Sequence, residues 1–260
     1  MPKKIYKKRT LDVRPDRLDL RDREYRPPLQ SLPASWPLEE DYKSLFQRYT
    51  ECNMVLDQGK DGACTGFGLA AVINYLLWQD LIKVDDESIN ATVMEEIRIS
   101  PSMLYNMARI YDEWEGEDYE GSSCRGAMKG WHRHGVCRNK SWPFIPGKES
   151  SPNDKWSTEA VFNPLGAYYR INKDSVVDMQ AAIREVGAIY CSATVHQGWW
   201  LKTTKELSII KQSNNKIGGH AFAIVGYNPD GFIVQNSWGT QWGCLLYTSD
   251  AADDMQCVEL

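Results

Sequence analysis

The chain has 260 residues, 42% of them apolar, and a formal net charge of −5. That is enough apolar material for a core, in one large domain or two small lobes, so disorder is not expected. The acidic balance argues against an electrostatic nucleic-acid binder, which needs a concentrated basic face.

Residues 1–50 are polar and rich in proline, with Pro27, Pro28, Pro33 and Pro37 favouring extended backbone, and they read as an arm lying on the body rather than as a helical segment. The basic start, Lys3, Lys4, Lys7, Lys8 and Arg9, reads as solvated. No hydrophobic segment follows it, and no apolar run of about 18 residues occurs anywhere, so neither a secretory signal nor a membrane span is expected. The protein is read as soluble and cytoplasmic. Seven cysteines without repeated spacing are then expected as reduced thiols rather than a disulfide framework.

Residues 58–81, QGKDGACTGFGLAAVINYLLWQDL, place Cys64 just after a glycine-marked loop and at the mouth of an apolar helix expected over 64–81. Unpaired N–H groups and the helix dipole favour a thiolate there. The side-chain amide of Gln58 and the backbone N–H of Cys64 form a donor pair for an oxyanion. An inert buried cysteine is the competing reading of this stretch.

Further helices are expected from Ser100-Pro101 and over 123–134, the latter stopped by Gly135, with an exposed acidic loop between them. Ser175 with Asp178 starts a short helix ended by Gly187, and 188–195 reads as a buried strand. Residues 220–227 and 232–239, joined by the turn NPDG, form a β-hairpin. Helices followed by strands suggest two unlike lobes with a cleft between them. The division expected is an arm at 1–50, a helical lobe at 51–150, a β-rich lobe at 151–243 and a separate tail.

A thiol nucleophile needs a base, and the base needs an orienting group. His220 and Asn236 lie on the two strands of the hairpin, which brings their side chains near each other. The stretches Gln58 to Phe67, GGHAFAIVGY and QNSWGTQWG together resemble the signature blocks of the papain family of cysteine peptidases. ISPSMLYNMAR, GSSCRGAMKGWHRHGVC, SWPF and PDRLDLRD are similar to its prokaryotic-type members.

The resemblance implies an α+β two-lobe fold and a peptidase acting on peptide or protein substrates, without metal or organic cofactor. It assigns Cys64 as nucleophile, His220 as base, Asn236 as orienter and Gln58 as oxyanion donor. Trp238 would shield the His–Asn pair on the leaving-group side, and Gly121 and Ser122 would form a cleft floor that pairs with substrate backbone. Two positions depart from the family pattern: Asp61 stands where a cysteine is usual and Thr65 where an aromatic is usual. A transferase or isopeptidase with the same triad, and a non-catalytic peptide-binding module, remain alternatives.

Residues 244–260, CLLYTSDAADDMQCVEL, resemble an in-frame translation of sequencing-adapter DNA. The expectation is a non-native tail, with the closing strand or strands of the second lobe missing.

Other features have plain readings. Cys124, His132, His134 and Cys137 lack zinc-ligand spacing, because histidines two apart on a helix diverge. His196 reads as a rim residue. Trp199 and Trp200 are either groove-lining or core. Asn90-Ala91-Thr92 reads as a chance glycosylation match, and Cys191 as a small buried residue.

Overall fold

The computed structural model describes residues 9–84, 88–114, 116, 119–200, 209–242, 246–248 and 255–259. In chain order the elements are α1 (Glu39–Glu51), α2 (Cys64–Val84), α3 (Ala91–Ile97), α4 (Pro101–Ile110), α5 (Cys124–His134), α6 (Trp156–Ala160), β1 (Tyr169–Ile171), α7 (Val176–Val186), β2 (Ile189–His196), β3 (Ile209–Ile210), β4 (Lys216–Asn228), β5 (Gly231–Gln235), β6 (Leu246–Thr248) and β7 (Met255–Glu259).

The helix starts follow the capping residues. Ser100 accepts a hydrogen bond from Met103 N, Ser123 from Gly126 N and Ser175 from Asp178 N, each satisfying an amide that its helix leaves open. Gly135 (φ 68°) and Gly187 (φ 98°) take the left-handed backbone that stops α5 and α7. Asn90 caps α3, accepting from Thr92 N and Val93 N.

α1 was not expected, since 1–50 read as an extended arm. It lacks a side-chain cap at Leu38, and the prolines before it dominate the local pattern. Tertiary packing holds it instead: Tyr49 meets Tyr75 and Trp78 of α2 edge-on, at ring separations of 5.6 and 5.1 Å.

α2 runs through the first lobe, with Cys64 to Tyr75 and Trp78 all buried. Contrary to the sequence reading, its 21 residues are long and apolar enough to span a membrane by length and composition. Here it is a core helix packed against α4 and β4.

The strands form one sheet in the order β1-β7-β2-β4-β5-β6-β3, antiparallel except for the β3–β6 pair. Both β6 and β7 come from 244–260. They occupy sheet positions where the sequence reading expected missing strands, β6 beside β5 and β7 between β1 and β2.

Two cores lie on opposite faces of β4. Ala221, Ala223 and Val225 join the helical core with α2, while Phe222 and Ile224 join the core of the sheet lobe. A bulge between Ile224 and Gly226 resets the alternation, so that Tyr227 also belongs to the second core.

One further correction concerns the cysteines. Cys52, Cys64, Cys124 and Cys137 are free and buried, but Cys191 is disulfide-bonded.

Candidate active site

Cys64 is the first residue of α2 and fully buried, at the seam between the helical core and the sheet. His220 lies on β4 and Asn236 directly follows β5, so the antiparallel pairing of those strands sets their separation. His220 Nε2 and Asn236 Oδ1 are 2.7 Å apart. Asn236 Oδ1 also accepts from Ser237 N at 2.7 Å, which fixes that atom as the oxygen. Nε2 therefore carries the ring proton, and Nδ1 is the bare nitrogen. Nδ1 is buried and makes no hydrogen bond.

Gln58 is held from three sides. Its backbone N–H donates to Ser237 O, its Oε1 accepts from Ser237 Oγ at 2.7 Å, and its Nε2 donates to Asp61 O at 2.9 Å. Its side chain is also near enough to the Cys64 sulfur to favour the thiolate there. Ser237 thus couples the Gln58 amide to Asn236, a role that sequence reading missed because QNSWG looks complete without it.

The two departures from the family pattern also find partners. Asp61 Oδ2 accepts from Gly147 N at 2.9 Å, tying the loop before Cys64 to a neighbouring turn without a covalent bond. Thr65 Oγ1 lies 2.6 Å from Ser122 Oγ, and its carbonyl accepts from Tyr190 OH, so the first turn of α2 is anchored to both lobes.

Trp238 packs on the imidazole, with ring centroids 4.8 Å apart. Trp200 stacks on Trp238, and Trp199 is buried edge-on to His220, so Trp199 belongs to the core and Trp200 packs, partly buried, against it. His132 and His134 diverge as expected, toward Gly166 O and Tyr111 OH. His196 accepts from Gly198 N in the turn after β2.

The cleft itself is filled by the chain's own arm. Thr10 N donates to Lys60 O, Val13 N to Gly219 O and Arg14 N to Ser122 O. A Cβ at Gly121 would stand 1.7 Å from Asp12 O, and one at Gly219 would stand 2.1 Å from Val13 O, so only glycine lets a peptide lie this close. Gly121 and Ser122 lie against residues 12–14 of the arm. Arg9 lies at the Trp238 end of the cleft. Beyond Arg14, Asp16 Oδ1 accepts from Arg125 N in the first turn of α5, and Arg125 pairs with Asp22 and Glu113.

Burial shifts both ionisable groups. Burial pushes the Cys64 thiol up to about 11, against hydrogen bonds from the backbone at Ala221, Cys64 and Thr65 and from Gln58. Burial pushes His220 down to about 4, with the Asn236 bond opposing and the Arg9 charge adding to the fall. With the arm in place burial therefore works against the thiolate and the imidazolium alike, opposing the helix terminus that favours the thiolate.

A helical lobe and a sheet lobe meeting at a thiol-bearing helix start place the protein among two-lobe α+β folds with a cysteine at the seam. The profile of the papain family cysteine proteases matches residues 41–258, and the chain belongs to that family.

Among curated relatives, an uncharacterized peptidase C1-like protein of Acanthamoeba polyphaga mimivirus is 26% identical over 201 residues, covering 72% of this chain; the chain spans 61% of that protein's length. A gut-specific cysteine proteinase of Caenorhabditis elegans is 22% identical over 86% of this chain and 71% of its own. Among solved structures, xylellain, a cysteine protease from Xylella fastidiosa, superposes with a TM-score of 0.69 at 24% identity, covering 97% of each chain. Digestive procathepsin L 3 of Tenebrio molitor superposes at 0.63 and 18% identity, over 92% of this chain and 73% of that one.

Proposed function

We propose that this protein is a cysteine peptidase held latent by its own arm. The observation that carries the reading is the hydrogen-bonded series from His220 through Asn236 and Ser237 to Gln58. It leaves one bare imidazole nitrogen and one amide donor at a thiol on a helix start.

With a peptide in place of the arm, the thiol proton passes to His220 Nδ1 and Cys64 Sγ attacks the scissile carbonyl carbon. Gln58 Nε2 and the Cys64 backbone N–H receive the developing oxyanion. The C–N bond breaks as the imidazolium returns its proton to the leaving amine. A water, deprotonated by His220, then attacks the thioester, releasing the carboxylic acid and restoring the thiol. Asn236 keeps the ring in the tautomer that this sequence requires, and Trp238 covers the His220–Asn236 bond from solvent.

The test is labelling by a thiol-directed peptidyl epoxide, with the adduct located by mass spectrometry in the full chain, in a chain lacking residues 1–14 and in Cys64→Ala. The expected result is an adduct confined to Cys64 and faster in the shortened chain. A folded, shortened chain that gives no Cys64 adduct would overturn the peptidase reading and favour a peptide-binding module.

A further inference from the structure

The arm shows what one end of the cleft is built to hold. The Arg9 guanidinium donates through Nη1 to Asp57 Oδ1 at 3.1 Å and to Gly59 O at 2.5 Å, and through Nη2 to Trp238 O at 3.1 Å. Its central carbon lies 5.3 Å from the centroid of the Trp238 ring. The Arg9 side chain is 10% exposed while that of Asp57 is 46% exposed, so the guanidinium is covered by the chain on its carbonyl and aromatic sides and the carboxylate wall stays open to solvent. A planar fork of donors facing one carboxylate, two carbonyl oxygens and an aromatic face fits a guanidinium better than a point-charge ammonium.

The walls of the recess are fixed independently of Arg9. Asp57 Oδ1 accepts from Gly59 N at 2.9 Å, Asp57 and Trp238 pair as an antiparallel bridge, and Gly239 N donates to Leu56 O. Gly239 (φ 77°) brings the chain close under the carboxylate, where a Cβ would stand 3.0 Å from Asp57 Oδ2. The recess also adjoins the reacting centre. Asp57 and Gly59 flank Gln58, and Trp238 covers His220.

We propose that, once the arm leaves, this recess is a subsite for an arginine side chain in the first two residues on the leaving-group side of the scissile bond. The inference rests on the peptidase reading for its place in catalysis, but the recess can be tested without turnover. Arg9 occupies the recess in the latent chain, so arm and substrate compete for the same carboxylate.

The first measurement uses full-length Cys64→Ala, Arg9→Ala protein and follows tryptophan fluorescence during titration with N-acetylarginine amide, N-acetyllysine amide and N-acetylglutamine amide. Arginine is expected to bind on the order of tenfold more tightly than glutamine, with lysine between them. Adding Asp57→Asn, which retains an acceptor for Gly59 N, is expected to reduce that ratio to about two. Equal binding of arginine and glutamine would overturn the proposal.

The second measurement uses full-length Arg9→Ala with the native thiol and internally quenched peptides that differ only at those two positions. An arginine-to-glutamine ratio in kcat/KM near ten, collapsing with Asp57→Asn, supports the subsite; a ratio of one overturns it. A merely structural role for Asp57 would slow both peptides in proportion and leave the ratio unmoved. Selective arginine binding with no peptide cleaved even after removal of residues 1–14 would sink the peptidase reading and leave the recess standing.

Discussion

The cluster proposed as catalytic and the arm that lies over it are held in opposite ways. Cys64, His220, Asn236 and Gln58 are all buried and are fixed by β4–β5 pairing, the start of α2 and short bonds through Ser237. The arm from Thr10 to Arg14 adds single main-chain bonds to glycine-lined walls and is anchored at its ends by charged groups, Arg9 on Asp57 and Asp16 on α5. Burial holds the first in place and favours its neutral forms, while the second rests on polar contacts that water can replace.

The largest expected effect tests the first half of that contrast. Cys64→Ala should lower peptide turnover in the shortened chain by about 10⁴-fold or more, measured with a fluorogenic peptide, while the far-ultraviolet circular dichroism stays unchanged. Appreciable remaining turnover would move the nucleophile elsewhere.

Gln58→Ala comes next. Loss of one oxyanion donor should cost about 10²- to 10³-fold in kcat, with KM much less affected. A loss carried by KM alone would make Gln58 a binding group.

Removing residues 1–14 sharpens the other half. Turnover should rise by roughly 10- to 100-fold, as expected when a tethered occupant with a high effective concentration is lost. The pH profile of Cys64 alkylation should change with it. In the full chain the thiol is protonated up to about 11, so the rate should climb with pH through the alkaline range. In the shortened chain the reactive thiolate should already be present near neutral pH. Identical profiles would show that the arm does not govern the dyad.

Ser237→Ala has the smallest effect, since Asn236 and Gln58 keep their other bonds. A loss of about 1 kcal/mol in transition-state stabilisation, roughly fivefold in kcat, is expected. An unchanged kcat would mean that the Gln58 amide is positioned without the serine hydroxyl.

Much of this arrangement was legible in the sequence because it is local. Ser100, Ser123 and Ser175 announce their helices, Gly135 and Gly187 end them, and the NPDG turn sets the hairpin that joins His220 to Asn236. What escaped depends on contacts between distant segments. α1 has no cap and is held by aromatic packing on α2. Ser237 acquires its role only when it faces Gln58, 179 positions away in sequence. Arg9 reads as one of several solvated cations until Asp57 and Trp238 close around it. The upward push on the Cys64 thiol and the downward push on His220 escaped for the same reason, since a motif records which groups are present but not how buried they are.

Adjacent residues of β4 answer to different cores, and this has a use in redesign. Ala221, Ala223 and Val225 are small, and a Cβ at Gly68 of α2 would come within 2.9 Å of the β4 backbone, so that side tolerates almost no added volume. Phe222 and Ile224 face a separate cluster of larger side chains. One strand therefore offers two faces that can be altered separately: repacking Ile224 would retune the sheet lobe while leaving the helix that carries the thiol untouched, whereas Phe222 lies against the His220 ring and would disturb the site.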